Sequence, residues 1–413
     1  MLVHRPDLEL RRVTPSNMDE LLFDELVWVD RAQEEHDDFV AVLRATGCEV
    51  LYLERLLADV LSDGEVAREV VRSQVTDTTS GPGLVDRVRG FLLELPIEGL
   101  VRHLIGGVAL KDLGETDSLV ARVHRPLEPL LRPLPNAVFM RDSSAWVGEG
   151  AVISPMNRLV RRREADLLRL VYLLHPRFAG VPIWFGEERR EYYPATVEGG
   201  DILVVANDAL AIGVSERSTP PGVETLAVRL FDAGVVSRIL AVELPRARST
   251  MHLDTVVTMV DRGTFLLYPH IRPHVRCLRL TPRRDGGLEV AEGGDLVSEL
   301  AWACGVERVR SLEPALDSVE AEREQWNDGN NVLAVAPGEI VAYERNPSTN
   351  SVLEEAGLTV HRIPSFELPR GRGGPRCMTC PILRAPPDAR FPFEAVARPA
   401  VMPEPCQPPR GDQ

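Results

Sequence analysis

A recurring unit in the latter two-thirds of the chain constrains its fold most. Four segments each pair an acidic or amide residue with a β run, a turn and a second β run. They open at Asp142, Asp201, Asp254 and Asn331, so successive openings lie 59, 53 and 77 residues apart. Helix-patterned stretches fall between them, for example at 164–174 and 296–304. A hairpin plus helix cannot bury its own apolar face and must pack on neighbours of the same kind. The repeat therefore predicts an α/β fold with its units arranged as blades about an axis. The leading acids and amides would converge at one end of it.

The amino-terminal part reads differently. Residues 1–3 and 48–53 pattern as strands, with an amphipathic helix over 24–47 stopped at Gly47. From 54 to 119 the pattern is helical throughout. Its stripes are Leu56, Leu57, Val60 and Leu61, then Val66, Val70, Val71 and Val75, then Val85, Val88, Phe91, Leu92 and Leu95. Proline-rich links around 125–135 close this block. The expected organisation is a principal α/β domain from 1–53 and 130–395, a helical subdomain inserted over 54–129, and a tail at 396–413.

Composition removes several functions. With 47 basic against 62 acidic residues the net charge is −15, which argues against nucleic acid or an anionic membrane as partner. Only Lys111 is lysine, so there is no phosphate-binding Gly-Lys-Ser/Thr loop, and its helix-like surroundings make it a surface charge. No stretch approaches the length of a membrane span, and the opening residues lack an apolar core, so no export signal is expected. Six dispersed cysteines then read as reduced thiols, and a cytoplasmic location is expected.

Two groups of residues carry candidate chemistry. The repeat supplies Asp142, Glu198, Asp201 and Asp254, with His252 two positions before Asp254. If that segment is a strand, His252 and Asp254 face one side, and the histidine can carry protons beside a carboxylate. The second group is the loop Arg370-Gly-Arg-Gly-Gly-Pro-Arg-Cys377, rich in glycine and arginine. Neighbouring arginines are expected to favour the Cys377 thiolate, the nucleophilic form. The Cys377-x-x-Cys380 spacing lacks the second pair a zinc site needs, and Pro381 does not suit a thioredoxin-like helix. Cys380 either packs or traps Cys377 on oxidation. Pro273 breaks any helix that would align His270 with His274, and Asn327–Asn331 reads as a structural turn, so no metal site is expected.

Taken in order, the segments Leu2-Val-His-Arg-Pro6, Glu20-Leu-Leu-Phe-Asp24, Phe139-Met-Arg-Asp142, Glu198-Gly-Gly-Asp201, Met251-His-Leu-Asp254, Asp328-Gly-Asn-Asn331 and Gly371-Arg-Gly-Gly-Pro-Arg-Cys377 resemble the arginine deiminases of the pentein-like, guanidine-modifying superfamily. The resemblance spans nearly the whole chain. It implies a five-bladed α/β propeller and hydrolysis of L-arginine to L-citrulline and ammonia, with no metal or organic cofactor. It implies that Cys377 attacks the guanidinium carbon, giving a thiouronium intermediate, while Asp142 and Asp254 grip the guanidinium. His252 would serve as acid and then base, oriented by Glu198. Arg161, Arg217 and Arg372 would bind the α-carboxylate, with Asn136, Phe139 and Asp201 completing the substrate site. Met140 and Ala145 depart from the family's usual residues. A homo-oligomer is compatible with all of this. The competing readings are an amidinotransferase, a deiminase of another guanidino compound such as agmatine, and a catalytically silent propeller.

Overall fold

The computed structural model describes residues 1–188 and 191–384, so the expected tail at 396–413 lies outside the described residues. Strands β1 (Leu2–Val3) and β2 (Leu51–Tyr52) pair in parallel and are joined by helix α1 (Val29–Ala45). The helix begins later than its sequence pattern suggested. Leu26 and Trp28 are exposed, so a longer helix would bury nothing there, and the Trp28 N–H is satisfied by the Glu367 carboxylate at 2.8 Å. The buried face of α1 carries Val29, Ala32, Phe39, Val40 and Leu43, which share a core with Val3, Phe139, Tyr343 and Met378.

Four later units share one connectivity: an antiparallel hairpin, a helix, then a strand parallel to the second hairpin strand. The first is β3 (Ser144–Val147), β4 (Gly150–Ile153), α2 (Arg162–Leu174) and β5 (Ile183–Phe185). The second is β6 (Ile202–Ala206), β7 (Ala209–Val214), α3 (Pro220–Asp232) and β8 (Arg238–Glu243). The third is β9 (Val257–Asp261), β10 (Thr264–Leu267), α4 (Leu296–Cys304) and β13 (Arg310–Leu312). It carries an extra hairpin, β11 (Arg276–Pro282) and β12 (Leu288–Glu292), which extends the preceding sheet through β8. The fourth is β14 (Leu333–Ala336), β15 (Glu339–Tyr343), α5 (Pro347–Glu355) and β16 (Thr359–Ile363).

The two ends of the described chain meet in a related arrangement. Cys380 bridges Leu2 antiparallel, the Leu2 N–H donating to the Cys380 carbonyl at 2.8 Å and the Cys380 N–H to the Leu2 carbonyl at 2.9 Å. Then β1, α1 and β2 follow. The result is an α/β fold with mixed sheets, its hairpins at the positions the sequence pattern marked.

Helices Leu53–Leu61, Gly64–Gln74, Val85–Glu94 and Ile97–Gly106 occupy the stretch between β2 and β3. Asp63 caps the second of them, accepting from the Glu65 N–H at 2.8 Å. Their apolar stripes share a core with the first unit: Leu57, Leu61, Leu92 and Leu104 pack in one cluster with Trp146, Ile153 and Leu168. Arg163 on α2 adds polar ties, donating to the Gln74 side chain and to the Arg132 and Leu104 carbonyls at 2.6–2.7 Å. Residues Met1–Leu383 accordingly form one unit. Among the described residues no helix is long and apolar enough to cross a membrane.

Candidate active site

Each hairpin is entered through a short turn, and these turns carry the candidate residues. Asp142 lies in Met140–Ser143, Asp201 in Gly199–Asp201, and Asp254 in Leu253–Thr255. Asn331 lies two residues before its hairpin, and Cys377 lies three residues before the Cys380 bridge. Hydrogen bonds link the turns in succession. The Arg141 N–H donates to the Cys377 carbonyl at 3.0 Å, and the Cys377 N–H donates to Asn331 Oδ1 at 3.0 Å. Asn331 Nδ2 donates to the Asp254 carbonyl at 3.0 Å, and the Leu253 N–H donates to Asp201 Oδ1 at 2.8 Å. The Asp201 turn meets the Asp142 turn so closely that a Cβ on Gly199 would lie 2.1 Å from the Arg141 carbonyl oxygen.

The strand expected at 252–254 is a correction. His252 is extended, but Leu253–Thr255 forms a 3-10 turn, because Asp201 draws in the Leu253 N–H. His252 still reaches the acids. Its Nε2 lies 2.9 Å from Glu198 Oε2 and its Nδ1 lies 3.5 Å from Asp142 Oδ1. Burial alone would lower the His252 pKa, but Asp142, Glu198 and Asp201 outweigh it and lift it to about 9. Burial would likewise raise Glu198, yet the hydrogen bond with His252, with Arg217 and Arg161 nearby, brings it down to about 2. The imidazolium is thus the form held at neutral pH, and Glu198 is its carboxylate partner.

Cys377 departs from expectation in its ionisation. Burial pushes the thiol well above its usual range, and the carboxylates of Asp254, Asp142 and Asp328 push it further. The loop arginines do not counter this because each is engaged elsewhere. Arg370 pairs with Glu25, Arg372 donates to the Trp326 carbonyl and stacks 3.7 Å over its ring centroid, and Arg376 pairs with Asp254 at 3.0 Å. Cys380 does not face Cys377: its Sγ lies 3.4 Å from the Ser144 carbonyl oxygen, and it belongs to a different apolar cluster.

Each clamp candidate keeps one oxygen without a hydrogen bond, although His252 Nδ1 lies 3.5 Å from the one on Asp142. Asp142 Oδ2 accepts from Arg161 at 2.6 Å and Asp254 Oδ2 from Arg376 at 3.0 Å. Asp142 Oδ1 and Asp254 Oδ1 are buried with no hydrogen-bond partner among the described residues. Burial raises Asp254, with Arg376 and His252 offsetting only part of that.

The structure brings the remaining predicted residues to this region in varied company. Arg161 is buried among Asp142, Glu164 and the Asn136 carbonyl, bonded through all three nitrogens. Arg217 is buried beside Glu198, its Nη1 3.7 Å from Oε2 and without a hydrogen bond. Arg372 has Nε and Nη2 buried and unbonded, near Asp328. Asn136 donates to the Leu21 carbonyl at 2.7 Å. Asp201 is bonded to the Ser215 hydroxyl at 2.7 Å as well as to Leu253, so it braces a turn. The Phe139 ring packs on the loop, where a Cβ on Gly373 would lie 2.2 Å from it.

Sequence reasoning missed Arg376 as a partner of Asp254 and Asn331 as the link between Cys377 and Asp254. The position of Arg376 directly before the cysteine was the only available signal.

Solved structures with a similar fold include a citrulline complex of a mutant DDAH, dimethylarginine dimethylaminohydrolase, from Pseudomonas aeruginosa. It has 15% identity and a TM-score of 0.50, covering 91% of this chain and 96% of that one. Unliganded AgrE has 17% identity and a TM-score of 0.45 over 63% of this chain; the match spans about a third, 32%, of AgrE. The N-terminal domain of ArgZ, a cyanobacterial arginine dihydrolase, has 18% identity and a TM-score of 0.44, covering 62% and 79%. The α/β architecture with mixed sheets is therefore similar to that of dimethylarginine dimethylaminohydrolase. The arginine deiminase family model matches residues 19–384, and the chain belongs to that family.

Proposed function

We propose that the protein hydrolyses L-arginine to L-citrulline and ammonia through a covalent adduct on Cys377. The reading is carried by two orphaned carboxylate oxygens, Asp142 Oδ1 and Asp254 Oδ1, in a buried site that also holds Cys377 and the His252–Glu198 pair. A planar guanidinium offers N–H groups to satisfy both oxygens, and its positive charge offsets the carboxylates that hold the thiol protonated. Substrate binding then favours the thiolate, the thiol proton leaving to solvent, with Arg376 giving way at Asp254.

The thiolate adds to the guanidinium carbon, forming a C–S bond and a tetrahedral adduct. His252, as imidazolium, protonates an amino nitrogen; the C–N bond breaks and ammonia departs. The neutral imidazole next takes a proton from water while the hydroxide oxygen bonds to the thiouronium carbon. Cleavage of the C–S bond returns the thiolate and leaves the ureido group of citrulline, whose released proton ends on ammonia as ammonium. Arg217 and Arg372, with buried unbonded N–H groups, are the cations proposed for the α-carboxylate, and Arg161 braces Asp142 unless substrate draws it away. No metal or organic cofactor takes part. The five turn-linked units are proposed to stand around a common axis, and the setting proposed is cytoplasmic, with assembly into a homo-oligomer open to test by sedimentation.

Incubation with L-arginine alone should yield equal amounts of citrulline and ammonia, and Cys377→Ala should abolish both, a loss of at least about 10³-fold. Ornithine formed only when an acceptor amine is added would mean amidino transfer instead. Equal turnover of agmatine would remove the carboxylate specificity.

A further inference from the structure

Glu35, on α1, is fully buried, yet it is not part of the turn cluster around Cys377. Its carboxylate accepts from three consecutive backbone N–H groups: Phe366 at 3.1 Å, Glu367 at 3.0 and 3.2 Å, and Leu368 at 3.1 Å. Successive amides aimed at one anion form a strong fixed cradle. Arg31 adds charge balance, its Nε 3.6 Å from Glu35 Oε1 and its guanidinium 5.6 Å over the Phe366 ring. The grip is reciprocal, because Glu367 in turn accepts the Trp28 N–H at the start of α1.

The cradle is the root of the loop that carries Arg372 and Cys377. The two are held differently. Cys377 is bonded through its own backbone to Asn331 and Arg141. Arg372 lies four residues past Leu368, in the left-handed region at φ 63, among Gly371, Gly373 and Gly374. Its backbone is therefore held by the Glu35 cradle on one side and by the bond from the Tyr343 hydroxyl to the Gly373 carbonyl, 2.9 Å, on the other, while its guanidinium rests on Trp326.

We propose that Glu35 is a positioning residue that sets Arg372 at the acid end of the substrate, and so sets the preference for arginine over its decarboxylated analogue. The proposal rests on the arginine-hydrolysing reading above.

The experiment compares wild type, Glu35→Gln, Arg372→Ala and the double variant on arginine and on agmatine. It also follows hydrogen exchange over 366–372 and iodoacetamide labelling of Cys377. In Glu35→Gln the KM for arginine should rise about tenfold with kcat within about twofold, and the arginine-to-agmatine preference should fall about tenfold. Exchange over 366–372 should quicken while Cys377 labelling changes less than about twofold. The effects of Glu35→Gln and Arg372→Ala on arginine should be far from additive. Additive effects, or an equal loss on both substrates accompanied by faster Cys377 labelling, would overturn the proposal in favour of a general structural anchor. Glu35→Asp, which keeps the charge with a shorter reach, gives the same comparison should the amide variant fold poorly, and an unchanged preference there overturns the proposal too. A wild type that makes no citrulline defeats the functional reading instead, while the exchange measurement still reports on the cradle.

Discussion

At the scale of single residues, the free protein holds Cys377 as a thiol because burial and three carboxylates all disfavour its anion. Labelling of Cys377 by iodoacetamide should consequently be slow at pH 7 and should still be rising above pH 9, the ordinary thiol value, as followed by mass spectrometry. The His252–Glu198 pair makes a second, signed prediction. His252 is raised from 6.5 to about 9, so its stabilising contribution is full below pH 6.5 and lost as pH rises through about 9. Glu198 is depressed from 4.5 to about 2, so its contribution is full above pH 4.5 and lost as pH falls through about 2. The melting temperature of His252→Gln should fall furthest below wild type between pH 4.5 and 6.5, with the gap closing toward pH 9 in differential scanning calorimetry. Asp142, Glu198, His252, Asp254 and Cys377 were legible in the sequence because each sits in a short motif at a turn. Arg376 was not: its partner Asp254 lies 122 residues away, and no local pattern encodes that pairing.

At the scale of elements, the repeated hairpins and helices could be read because buried strands and helix faces leave periodic apolar signals. Helix α4 has the expected bounds, Leu296–Cys304, whereas α1 lost its first turn where no core face existed to bury. The 252–254 turn was misread as a strand because a side chain from another unit bends it. The 370–377 loop behaves similarly, since Gly371 and Gly373 serve a contact with Phe139 rather than looseness alone. Gly373→Ala would drive a methyl group into that ring, overpacking that costs about 1–3 kcal/mol and displaces the loop. Citrulline formation should drop about tenfold, with partial recovery when Phe139→Ala is added, measured as kcat/KM.

At the scale of the whole molecule, the ends of the Met1–Leu383 unit meet at the candidate site, since β1 pairs with Cys380, three residues past Cys377. Leu2→Ala and Leu57→Ala each truncate a fully buried leucine in the same core and should each cost about 2–5 kcal/mol in urea unfolding. Only Leu2→Ala should also lower the specific activity of the folded fraction, because only β1 adjoins the Cys377 turn. The sequence by itself determined the repeated units, the helical stretch and the candidate side chains that the turns bring together, because apolar periodicity and turn chemistry are local properties. The tertiary structure alone decided which arginine meets which carboxylate and why the thiol stays protonated, because charges separated by a hundred or more residues interact only once burial has removed the water between them.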